Sequence, residues 1–134
     1  MAPTKASRLN ELIEWLDRAS DNLYLSVVTA AEIRDGIAKA EREGATKKAE
    51  ALKAWWDTVE YLYRERILSF DLKSATVAGA MIDRARAAGN APGFADIAIA
   101  ATAEVHALTI LTRNIRHFAP IYANVMDPFD ALPT

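Results

Sequence analysis

The chain has 134 residues, 51% of them hydrophobic and 25% charged, with a net charge of −2 and a pI near 5.7. This size and balance predict one globular domain spanning residues 1–134. The lack of cysteine excludes a disulfide framework and thiolate metal sites and predicts a reducing, cytoplasmic setting, and no apolar run approaches a membrane span of roughly 18 residues. Residues 1–10 are polar and carry no signal-peptide core. The mild acidity argues against a broadly basic nucleic-acid-binding surface, while leaving room for an enzyme that meets RNA locally.

Leu9, Leu12, Ile13 and Leu16 recur at helical spacing, so 8–19 reads as an amphipathic helix closed by Ser20-Asp21-Asn22. Residues 23–28 are apolar and rich in β-formers, and predict a buried strand. Thr29 followed by Glu32 has capping-box spacing and predicts a helix from Ala30 to about Glu43, ended by Gly44. A third helix is expected from Thr46 to about Arg66, with Leu52, Trp55, Trp56, Val59, Leu62 and Tyr63 as its apolar stripe. Trp55 and Trp56 read as core residues, although adjacent helical residues point about 100° apart, which leaves room for one of the two to be exposed.

Residues 67–70 predict a second strand. Asp71 or Ser74 can cap the next helix, which runs to Ala88 before Gly89-Asn90. Pro92-Gly93 predicts a turn, and 95–106 an Ala/Ile-rich helix whose small side chains predict close packing on a sheet. A strand at 108–112, a helical turn at 115–118 and a short strand at 124–126 complete the chain. Alternation of strands and helices predicts an α/β fold with a mostly parallel sheet and helices on both faces. In such sheets functional groups gather past the carboxyl ends of strands.

Glu32, Asp96 and Asn114 fall at such places, with His117 three residues beyond Asn114. Carboxylates that share a site bind hard divalent cations, because Mg²⁺ and Mn²⁺ prefer oxygen ligands. Each residue also has a purely structural explanation. Glu32 can close the capping box with Thr29, Asp96 can sit where the helix macrodipole favours an acid, and Asn114 can serve as a turn or cap. His106 and His117 read as surface or semi-buried histidines, and Asp35, Asp57 and Asp83 as solvated helix residues. No glycine-rich phosphate loop is present, which argues against a flavodoxin-like small-molecule domain.

Taken together, LYLSVVTAAEIRDGI (23–37), ILSFD (67–71), PGFADIAIAATA (92–103), LTILTRNIRHF (108–118) and NVMDPF (124–129) resemble the PIN-domain family, and within it the toxins of the VapC/FitB type. The resemblance implies a three-layer α/β/α domain and a metal-dependent endoribonuclease, the toxin of a toxin–antitoxin pair. It implies Mg²⁺ or Mn²⁺ as cofactor, RNA as substrate, a cognate antitoxin as partner and a homodimer. Carried over by residue, Glu32 and Asp96 are the implied metal ligands, with Asn114 or His117 at the fourth catalytic position, where family members often have an acid. Arg113 or Arg116 is the expected contact to substrate phosphate.

Family members open with a strand carrying an L-D-T-N-like motif, whose Asp is the first ligand. Here MAPTKASRLNELIEWL stands at the start, and the segment from Leu9 matches the helix that follows that strand. The chain is therefore expected to be N-terminally incomplete, without the sheet's first, central strand, and impaired in metal affinity. The rival expectation is a catalytically inactive PIN domain that only binds antitoxin.

Overall fold

The computed structural model describes residues 4–132. In chain order these form α1 (Lys5–Ala19), β1 (Leu25–Ser26), α2 (Val27–Arg42), α3 (Thr46–Tyr63), β2 (Ile67–Leu68), α4 (Leu72–Ala87), α5 (Phe94–Val105), β3 (Ile110–Leu111), α6 (Ile115–Phe118) and β4 (Val125–Met126). Single 3₁₀ turns follow α1 and α3, at Ser20–Asn22 and Arg64–Arg66. The result is a mostly helical α/β fold with short parallel strands. Among the described residues no strand precedes α1, and no helix is long and apolar enough to cross a membrane.

The chain divides into two compact units, one made of the part up to Leu23 together with the part from Asp71 onward, the other Tyr24–Phe70. Within the second unit, β1 runs parallel to β2 with Leu25 opposite Ile67 and Ser26 opposite Leu68. The strand expected over 23–28 is only two residues long, because Ser26 caps a helix immediately after it. The Ser26 hydroxyl accepts from the Val28 N–H at 3.0 Å, and Val27 already belongs to α2. The expected capping box is thereby overturned. Thr29 lies inside the first turn, and Glu32 lies in the second turn with no orphan N–H to close.

Helix α2 buries Ile37 and Ala40, and α3 buries Ala49 and Trp56. Trp56 is 1% exposed and Trp55 53% exposed, so the adjacent indoles divide between core and solvent. Leu62, expected on the apolar stripe, is exposed. The helix expected to reach Arg66 tightens into its 3₁₀ turn after Tyr63. Arg34 on α2 and Glu60 on α3 pair at 2.9 Å, both half exposed, a contact worth at most about 1 kcal/mol.

The other unit is organised around α4 and α5. Asp71 caps α4, its Oδ1 accepting from both the N–H and the hydroxyl of Ser74 at 2.9 Å. Those two bonds hold the Asp71 carboxyl below the ordinary aspartate range. Ser74, Ala78, Met81 and Ala85 form the buried stripe of α4. Helix α5 buries Ile97, Ala98, Ala100, Ala101, Thr102 and Ala103, nearly its whole circumference. Only small side chains let two helix backbones approach so closely, and this is the physical use of the AIAATA run.

The helix α4 ends at Gly89, whose φ of +79° suits a residue without a Cβ. Helix α5 ends with Ala107 at φ 54°, a left-handed conformation that disfavours a Cβ. Strand β3 then runs parallel to β4, Ile110 opposite Val125 and Leu111 opposite Met126. The Tyr122 hydroxyl donates to the Leu108 carbonyl at 2.6 Å, and burial holds the pKa of the phenol above its ordinary value.

Candidate active site

Beyond Gly89 the chain turns through Asn90, Ala91, Pro92 and Gly93 before entering α5. The Asn90 N–H returns to the Ala85 carbonyl at 2.8 Å, and the Ile97 N–H reaches the Gly93 carbonyl at 3.2 Å. Gly93 has extended backbone and supplies no side-chain cap. Asp96 is the acid in the first turn of α5, where a carboxylate is favoured by the helix macrodipole.

The facing wall comes from α6. After β3 the chain turns tightly, the Thr112 hydroxyl accepting from the Asn114 N–H at 2.9 Å. Phe118 is buried and anchors the single helical turn, which leaves Arg116 and His117 outward. Asn90, Pro92, Gly93, Asp96, Arg116 and His117, with Pro120 and Ile121, line an open cleft of about 340 Å³. In it, His117 Nδ1 lies 3.8 Å from Asp96 Oδ2, with the histidine side chain 60% exposed and the aspartate 29%.

Among the expected site residues, Asp96, Arg116 and His117 thus meet in one cleft. Asn114 is exposed at the start of α6 and is not one of the lining residues. Arg113 lies with its guanidinium 4.3 Å from the Phe129 ring centroid. The Asp127 carboxylate accepts from the Phe129 N–H at 2.8 Å and fixes that ring, which gives the DPF segment a structural use. Glu32 belongs to the Tyr24–Phe70 unit and is exposed on α2. Asn90, Pro120 and Ile121 were not singled out from sequence. Only the Gly89-Asn90 helix-end signal pointed toward any of them.

Among the described residues, no three of His, Asp and Glu gather into a fully protein-built cation site. Asp96 nevertheless fits a partly hydrated divalent ion. Ions of the Mg²⁺ class are commonly held by one or two carboxylates, with water and substrate phosphate completing the shell. The cleft is open and has room for both.

The PIN domain family model matches residues 6–123. The plasmid stability protein StbB of Pseudomonas syringae pv. tomato is 33% identical over 90% of this chain and 86% of its own length. Toxin FitB of Neisseria gonorrhoeae is 30% identical over 95% of this chain and 91% of its own length. VapC ribonuclease Y4jK of Sinorhizobium fredii is 29% identical over 94% and 89%. The crystal structure of FitAcB from Neisseria gonorrhoeae superimposes with a TM-score of 0.78 at 32% identity, covering 96% of this chain and 88% of that one. The chain with the Asp96–His117 cleft belongs to the PIN domain family.

Proposed function

We propose that this chain is the toxin of a toxin–antitoxin pair and cleaves RNA phosphodiesters at the Asp96 cleft with the help of a divalent cation. The reading is supported by relatives named Toxin FitB and VapC ribonuclease. The observation that carries it is the convergence of an acid, an arginine and a histidine in one solvent-open cleft at the start of α5. Asp96 is the oxygen ligand proposed in that cleft, and Glu32 is a ligand proposed from the family resemblance. Glu32 has no capping task to occupy its carboxylate, since Ser26 performs it.

A bound cation would supply Lewis-acid activation of water and neutralise charge on the phosphate. The chain's own groups do the remaining work. Arg116 lines the cleft and can donate two N–H bonds to a phosphate oxygen pair, orienting the scissile group. Arg113, stacked on Phe129, is the less available of the two arginines. Asn114, exposed at the start of α6, is proposed to orient water. A cognate antitoxin is the proposed protein partner, with a homodimer as the working assembly.

The test is cleavage of a mixed RNA pool in Mn²⁺ by the wild-type chain, Asp96→Asn and Glu32→Gln. Each variant is expected to lose activity on the order of 10²-fold, and chelator to abolish cleavage by the wild type. Equal cleavage by all three would refute the assignment. The inactive antitoxin-binding reading is favoured by one observation, the lack of a three-ligand cluster among the described residues. It predicts no heat of Mn²⁺ binding in calorimetry and no RNA cleavage.

A further inference from the structure

We propose that residues 61–66, at the end of α3 in the Tyr24–Phe70 unit, form a second contact surface for single-stranded RNA; the choice of RNA rests on the ribonuclease reading above. The Asp96 cleft belongs to the other unit, and the two linings share no residue. Tyr61, Leu62, Arg64, Glu65 and Arg66 line an open concavity of about 320 Å³. Tyr61 is 72% exposed and Leu62 59%, on a helix whose buried residues are Ala49 and Trp56. A tyrosine ring is thus presented to solvent at the rim of a charged hollow.

Rings and guanidinium groups alternate here. The Arg64 guanidinium sits 5.6 Å from the Tyr61 ring centroid, and that of Arg66 4.7 Å from the Tyr63 centroid, both within cation–π range. Arg64 is the more exposed of the two arginines and is assigned the phosphate; a guanidinium held over a ring can still direct in-plane N–H groups at phosphate oxygens. The exposed Tyr61 ring is assigned the base, since an aromatic face stacks any unpaired base. Charge agrees with this. Residues 61–66 hold two arginines and one glutamate in a chain of net charge −2, and the adjacent Glu60 carboxylate turns to Arg34 at 2.9 Å. Glu65 decides between anionic partners. It repels an acidic peptide, whereas it can accept from a ribose hydroxyl or a base N–H. A duplex fits poorly, because its bases are already stacked and paired.

The test is fluorescence anisotropy of a labelled, unstructured RNA of about 12 nucleotides with the full chain, in chelator so that binding is read without cleavage. Tyr61→Ala is expected to weaken binding about fivefold to a hundredfold, and Tyr61→Phe to leave it close to wild type. Arg64→Gln is expected to weaken binding and to reduce the slope of log affinity against log salt by about 0.7. Both positions are exposed, so neither substitution removes packing from the core. The same RNA annealed to its complement is expected to bind Tyr61→Ala and wild type alike. RNA affinity unchanged in either Tyr61→Ala or Arg64→Gln, or an equal loss on the duplex, would overturn the proposal. So would an oligoglutamate peptide that binds more tightly than the RNA. Cleavage in Mn²⁺ that depends on Asp96, with affinity unchanged in both variants, would overturn it while sparing the nuclease reading. Affinity lost in both variants, without any cleavage by the wild type in Mn²⁺, would do the reverse.

Discussion

Individual side chains in this protein carry tasks that their neighbours in sequence do not share. Asp71 accepts two hydrogen bonds from Ser74, a residue with no exposed surface. Its carboxyl is held low by those bonds, so it stabilises the fold above the ordinary aspartate range, and the contribution is lost as pH falls through the depressed value. Asp71→Ala is therefore expected to lower the melting temperature at neutral pH. The gap to wild type should narrow below about pH 4; a gap that is constant from pH 7 to pH 3 would contradict this. Ala107 makes the opposite case. Its left-handed backbone costs energy that glycine does not incur, so Ala107→Gly is expected to raise stability by up to about 1 kcal/mol in denaturant unfolding. The cap was legible only as a choice between Asp71 and Ser74, and in the fold Ser74 donates to Asp71, which performs it. Ala107 was not legible, because nothing in the residues A-L-T distinguishes a strained helix end from an ordinary one.

The helices were readable to within a few residues, and the strands were not. Helices α3, α4, α5 and α6 lie close to where the apolar pattern and the turn residues placed them, and the buried stripe of α4, Ser74, Ala78, Met81 and Ala85, repeats at helical spacing. The segment Leu-Ser-Val-Val misled because β-branched residues favour strand locally. In the folded chain the Ser26 cap overrides that propensity and draws Val27 and Val28 into α2. Ser26→Ala is expected to cost about 0.5–2 kcal/mol, whereas Thr29→Ala should cost less, which distinguishes the observed cap from the one expected from sequence. In α5 the buried alanines leave no space to fill. Ala100, with no exposed surface, is expected to tolerate leucine only at a cost of about 1–3 kcal/mol from overpacking, measurable as a reduced urea midpoint with an unchanged slope.

At the scale of the molecule, the fold family and the acid of the cleft were both visible in the ordered segments around Glu32, Asp96 and Asn114. What the sequence left open between Asn114 and His117 depends on the direction of side chains on a four-residue helix, and that is fixed by burial of Phe118. Arg116 lines the cleft, while Arg113 lies over Phe129. Within the Tyr24–Phe70 unit, Trp56 is almost wholly buried with its indole N–H unpartnered. Trp56→Ala is expected to cost about 3–5 kcal/mol, with Trp56→Phe closer to wild type because it removes a buried donor along with some volume.

The central claim is that Asp96 and Arg116 serve one chemical step in the cleft they both line. A double-mutant cycle on the rate of RNA cleavage in Mn²⁺, using Asp96→Asn, Arg116→Gln and both together, tests it most directly. Residues that act as a unit are strongly non-additive, so the double variant is predicted to be no slower than the slower single variant by more than a few-fold. Losses that multiply, or an Arg116→Gln rate equal to wild type, would contradict the account.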